Sequence, residues 1–194
     1  MNDQALFNTV VIARMLASTA IRWPHSRRNR HNRIVRHMKD GLEKALMFAV
    51  FAGMMILPLV WIATAKPAFA NYARPDWLGW TGVWIFAPSL WLFWRSHADL
   101  GRNWSPTLEV HDAHTLVTHG VYARMRHPMY SSIFLWCIAQ ALLLPNWIAG
   151  PAGFVTFFTM YVLRTGREER MMLDCFGAPY AEYKRRTGRI VPHL

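Results

Sequence analysis

The sequence predicts an all-α fold: an integral membrane bundle of about five transmembrane helices. Three observations carry that prediction. Hydrophobic residues make up 53% of the 194, yet the mean hydropathy is only +0.08, because charge is gathered into blocks between long apolar runs. Several of those runs approach the roughly 20 residues a helix needs to cross a bilayer core. Lys and Arg crowd into alternate intervening segments and are sparse in the others, as positive-inside bias requires.

The elements follow in order. Residues 5–21 form the first expected span, with Arg14 facing protein or water; lying in the interface is the alternative. Residues 42–65 form the clearest span, with no charge from Ala45 to Ala65. Pro58 would kink it, which neighbouring helices make tolerable in a membrane. Residues 77–94 are charge-free and carry five Trp, and those near the two ends fit interfacial aromatic belts. Residues 129–144 and 147–163 read as a helical hairpin turning at Pro145-Asn146. Seven Lys/Arg occur in 22–39, four in 95–127 and seven in 164–194, against two (Lys66 and Arg74) and none in the alternate loops. Five spans with the N-terminus outside and the rich segments in the cytoplasm satisfy every loop. The whole chain, 1–194, reads as a single membrane domain with its chemistry in 100–130 and 164–194.

A net charge of +11 suggests anionic lipid headgroups rather than nucleic acid, because the basic residues flank apolar spans and no recognition module is present. Cys137 and Cys175 have no partner spacing and read as free thiols in a reducing compartment. No cleavable signal peptide is evident. His111, His114 and His119, at intervals of three and five, do not match a metal-ligand spacing, so no metal is expected. There is no dinucleotide fingerprint, phosphate loop or nucleophile elbow.

Two polar clusters stand out at the mouths of apolar runs: His114 to Tyr130, and Arg164-Thr-Gly-Arg-Glu168-Glu169-Arg170. Titratable groups in such places usually serve chemistry or binding, and both clusters fall on the expected cytoplasmic side. Arg164 and Glu168, four apart, share a helix face. Glu169 points about 100° away and is expected to pair only with tail charges such as Arg189.

The order and spacing of several short motifs resemble the isoprenylcysteine carboxyl methyltransferase family, within a wider group of membrane methyltransferases that includes phospholipid N-methyltransferases. The motifs are Leu100-Gly-Arg-Asn-Trp-Ser105, His114-Thr-Leu-Val117, Gly120-Val-Tyr122, Arg126-His-Pro-Met-Tyr130, Glu168-Glu169, Phe176-Gly-Ala-Pro-Tyr180, Tyr183 and Arg189-Ile-Val-Pro192. They cover roughly the C-terminal half; the N-terminal half matches only in being apolar and helical.

That resemblance implies a cytoplasmic S-adenosylmethionine pocket unlike the Rossmann fold. It places His114, Leu116 and Val117 along the cofactor, with Tyr122, His127 and Tyr130 completing the pocket. The residue chemistry agrees: Leu116 and Val117 can sandwich an adenine, aromatic faces attract a sulfonium, and His127 can hydrogen-bond polar groups. Interface anchoring for the two tyrosines, ordinary core for Leu116-Val117 and helix starting for His127 remain alternatives. Asn103, Trp104 and Glu109 read as loop structure, and Gly120 as a turn needing positive φ. Arg164 would hold a substrate carboxylate as a bidentate fork, and Glu168 would fix Arg164 or the reacting group; an ordinary intrahelical ion pair is the alternative.

The implied reaction is methyl transfer to a lipophilic substrate, first of all the carboxylate of a prenylated cysteine, whose tail would enter between helices near residues 129–163. N- or O-methylation of a phospholipid or isoprenoid, an NADPH-dependent sterol-type reductase, and an inactive scaffold are the rivals. No obligate protein partner is inferred.

Overall fold

The computed structural model describes residues 3–29, 34–37, 41–103, 109–111 and 115–193. The chain folds as α1 (Asp3–Asn29), β1 (Ile34–His37), α2 (Gly41–Phe51), a π turn (Ala52–Ile56), α3 (Leu57–Thr64), α4 (Asp76–Leu100), β2 (Glu109–His111), α5 (Pro128–Leu143), α6 (Ala152–Phe176) and α7 (Ala178–Arg186). The helical expectation holds, with one addition: β1 and β2 pair antiparallel into a two-stranded ribbon. These strands are too short and too mixed in composition to show a period of two.

By length and composition, Asp3–Arg27 and Gly41–Thr64 are two helices able to cross a membrane. The second contains the predicted Pro58, preceded by the π turn that absorbs the register change. Three helices overrun the expected apolar limits. α1 continues to Asn29, α4 to Leu100 and α6 to Phe176, because a helix satisfies its own backbone whether lipid or water lies outside, and apolar runs report only the buried part.

The hairpin turn is longer than expected. Residues 147–151 form turns, and α6 starts at Ala152. Asn146 causes this: its Oδ1 accepts from the Ile148 and Ala149 N–H groups at 2.9 and 2.8 Å, and its Nδ2 donates to Asn71 Oδ1 at 2.7 Å. Pro151 then stands at the N-cap, where no N–H is needed.

α4 and α5 form the principal helix pair, with α1 against α4 and α6 against α2 and α5. α1 turns one stripe inward, Phe7, Val11, Arg14, Met15 and Ser18, all buried at helical spacing. Arg14 faces protein: its guanidinium lies 4.2 Å from the Trp136 ring centroid and donates to Ser89 Oγ at 3.3 Å. Gly53 permits the closest approach to α6, since a Cβ there would meet Thr156 Oγ1 at 2.5 Å. Large apolar side chains point outward along the helices, among them Phe48, Trp84, Val155 and Val162.

Candidate functional site

At one end of the bundle a cavity of about 230 Å³ opens among the loop after β2, the start of α5, the second half of α6 and α7. Seven predicted site residues line it: Leu116, Val117, Tyr122, His127, Tyr130, Arg164 and Glu168. His114 and Trp104 lie outside the described residues. Glu109, read as loop, sits on β2.

The loop is held from both sides. Gly120 adopts φ +61°, as its turn required, and a Cβ there would meet Asp99 Oδ2 at 2.1 Å. That oxygen accepts from the Val121 N–H at 2.9 Å, tying the loop to the end of α4. Asn103 both donates to Thr115 Oγ1 and accepts from its N–H, each at 3.0 Å, fixing the approach to Leu116. Buried Tyr122 accepts at its carbonyl from Tyr183 Oη at 2.7 Å. Burial pushes the Tyr183 phenol up to about 12. Burial, with Tyr183 and Glu168 adding to it, likewise raises the Tyr122 phenol. Both therefore stay protonated donors near neutral pH and do not act as bases.

His127 immediately precedes α5, with Pro128 at its first position, but its ring makes no capping bond. The ring stacks on Tyr130 at 5.1 Å and 11°. Its Nε2 is buried, 3.5 Å from Glu169 Oε1, without a hydrogen-bond partner among the described residues. The ring lines the cavity, while Nε2 is turned toward the Glu169 carboxylate.

Arg164 and Glu168 share a face of α6, but only 3.8 Å separates Arg164 Nε from Glu168 Oε2 at its nearest, a loose pair. Each has a closer partner. Tyr130 donates to Glu168 Oε2 at 2.6 Å, while Arg164 Nη1 lies 3.0 Å from Glu43 Oε1 on α2. Glu43 and Arg22, the latter also lining the cavity, were not anticipated. The available signal was one of position: Glu43 is the acid at the entrance of the most apolar span.

Glu169 faces away from the cavity and forms a hub. Arg126 Nε at 3.2 Å, Lys184 Nζ at 3.0 Å, and Arg189 Nε and Nη2 at 3.0 and 3.1 Å surround it. The expected tail pairing with Arg189 is thus only part of its role. Burial acts to raise this carboxyl, but polar contacts from His127, Arg189 and Lys184, backed by Arg126, outweigh it and hold the group well below the usual carboxylate range. The hub pins residues 187–190 along the Arg126-His127 turn, where His127 N–H donates to the Arg189 carbonyl at 2.9 Å and Arg126 N–H to that of Gly188, also at 2.9 Å.

Comparison with known proteins agrees with the motif pattern. The model of the isoprenylcysteine carboxyl methyltransferase (ICMT) family matches residues 80–174. The human protein-S-isoprenylcysteine O-methyltransferase is 35% identical over 120 residues, which is 61% of this chain and 42% of that protein. Protein-S-isoprenylcysteine O-methyltransferase A of Arabidopsis thaliana is 26% identical over 155 residues, 79% of each chain. Among solved structures, that of the eukaryotic intramembrane Ras methyltransferase ICMT is similar with a TM-score of 0.57 at 26% identity, covering 80% of this chain and 55% of that one. The chain thus spans about half the length of several relatives it matches, and the resemblance read from the motifs is borne out.

Proposed function

We propose that this chain, related to the isoprenylcysteine carboxyl methyltransferases through residues 80–174, is a multi-pass membrane enzyme that transfers a methyl group from S-adenosylmethionine to the carboxylate of a prenylated cysteine. The observation that carries the reading is the gathering of Leu116, Val117, Tyr122, His127, Tyr130, Arg164 and Glu168 around one cavity. Two apolar side chains and stacked aromatic rings match the adenine and sulfonium of that cofactor.

When bound, the cofactor supplies an activated methyl on a sulfonium. The rest is done by the chain. Leu116 and Val117 would bracket the adenine, and the His127 ring would wall the cofactor's polar end. Tyr130, oriented by its bond to Glu168, presents its ring face to the sulfonium. Arg164 receives the acceptor carboxylate with paired N–H groups. Apolar Val50, Ile133, Phe157 and Met160 on the same cavity exclude water and face the prenyl tail. The carboxylate is ionised at neutral pH, so no base would be needed, and the cofactor would supply an activated methyl for direct transfer to its oxygen. Catalysis is alignment in a partly dry site.

The site is proposed to face the cytoplasm, in five spans with the N-terminus outside; reporters fused at Ala70 and after Leu194 should read opposite sides, and the same side for both contradicts this topology. Titration calorimetry of the detergent-solubilised protein tests the cofactor: S-adenosylmethionine should bind and NADPH should not, and the reverse result points to the reductase reading.

A further inference from the structure

We propose that Glu43 is a positioning residue for the acceptor site, gripping one end of the Arg164 guanidinium so that its opposite edge faces the cavity. The inference rests on the functional reading above. Glu43 lies in the first turn of α2, is 2% exposed, and is the acid at the front of an apolar helix. Its Oε1 sits 3.0 Å from Arg164 Nη1, an ion pair made by proximity rather than by an aligned hydrogen bond. Met47, one turn later on the same helix, places its Sδ 3.6 Å from that same nitrogen. Arg164 lines the cavity and Glu43 does not, so the grip comes from behind.

The other side of the guanidinium is different. Arg164 Nε is buried without a hydrogen-bond partner among the described residues, and the nearest Glu168 oxygen is 3.8 Å away. Arginine recognises a carboxylate through two parallel N–H groups on one edge. With Nη1 occupied by Glu43, the Nε–Nη2 edge remains for a bidentate partner. Glu43 also supplies the counter-charge that a buried guanidinium requires, from a direction that leaves the acceptor slot open. Without it, Arg164 is free to close onto Glu168, its neighbour at i+4, and fill that slot.

The test uses the full-length protein with S-adenosylmethionine as donor and an N-acylated prenylcysteine as acceptor. Glu43→Gln keeps the shape and removes the charge. It should raise the acceptor KM about tenfold, as loss of a charge-assisted contact implies, with cofactor Kd by calorimetry unchanged. Glu43→Asp keeps the charge with a shorter reach and should fall between the two. A folded Glu43→Gln protein with the parent KM overturns the proposal, as does a cofactor Kd weakened as much as the acceptor KM, which marks a residue holding the whole cavity. If Glu43→Gln does not fold, Glu43→Asp carries the test: a raised acceptor KM supports the role and the parent KM overturns it. A parent protein that does not methylate this acceptor contradicts instead the functional reading.

Discussion

Glu169→Gln is the most informative single change outside the cavity. It removes the negative charge at the centre of a hub while keeping side-chain shape. Lys184 and Arg189 are nearly half exposed, so their share is screened and small, at most about 1 kcal/mol each. The Arg126 side chain is only 8% exposed, and stranding a buried cation without its partner costs about 3 kcal/mol. At about 2–4 °C per kcal/mol for a chain of this size, the melting temperature at neutral pH should fall by about 6–12 °C. The pH dependence follows from the depressed Glu169 carboxyl. An unfolded Glu titrates near 4.3, so its stabilisation is complete above that value and is lost as pH falls toward the lower folded value. The gap between parent and Glu169→Gln should therefore narrow below about pH 4. Thermal unfolding in one detergent at neutral and acidic pH measures both. Equal melting temperatures at neutral pH, or a gap that does not change with pH, would refute the hub as a charged clasp.

Three further outcomes are expected. His127→Ala should weaken S-adenosylmethionine binding by removing a ring that walls the cavity, while the protein stays folded; unchanged affinity by calorimetry would make His127 a helix-start residue only. Tyr130→Phe removes the donor to the charged Glu168, worth about 1.5–3 kcal/mol, and should lower turnover more than cofactor affinity; parent turnover in steady-state assays would detach Glu168 from the chemistry. Gly120→Ala puts a Cβ against Asp99 at positive φ, a strain of about 1–2 kcal/mol; it should weaken the cofactor by loosening the Tyr122 loop, and calorimetry that finds parent affinity would show the loop is not the cofactor's wall.

Much of the site was legible because its residues are close in the chain. Leu116 to Tyr130 is one stretch whose polarity is out of place between apolar runs, and Arg164 and Glu168 share a face by helical period alone. Glu43 was not legible, because it meets Arg164 only once α2 packs on α6, and nothing local specifies that pairing. The same reason hid Arg22. The long turn at Asn146 is in part a tertiary event, since Asn146 also bonds Asn71 across the fold. The β1–β2 ribbon escaped because strands of four and three residues carry no readable alternation. The Glu169 hub was half legible: its orientation away from Arg164 and its tail pairing with Arg189 were predictable, but its contacts with Arg126 and His127 were not.

Methyl transfer itself is the measurement that matters most. The purified protein in lipid nanodiscs, given S-adenosylmethionine and an N-acylated prenylcysteine, should yield a carboxyl methyl ester by mass spectrometry, one that mild base hydrolyses. Arg164→Lys, which keeps the charge but loses the planar fork, should make that ester more slowly with cofactor affinity unchanged. No ester from the parent protein, with the methyl found instead on an amine acceptor or S-adenosylmethionine left unconsumed, would contradict a carboxyl methyltransferase.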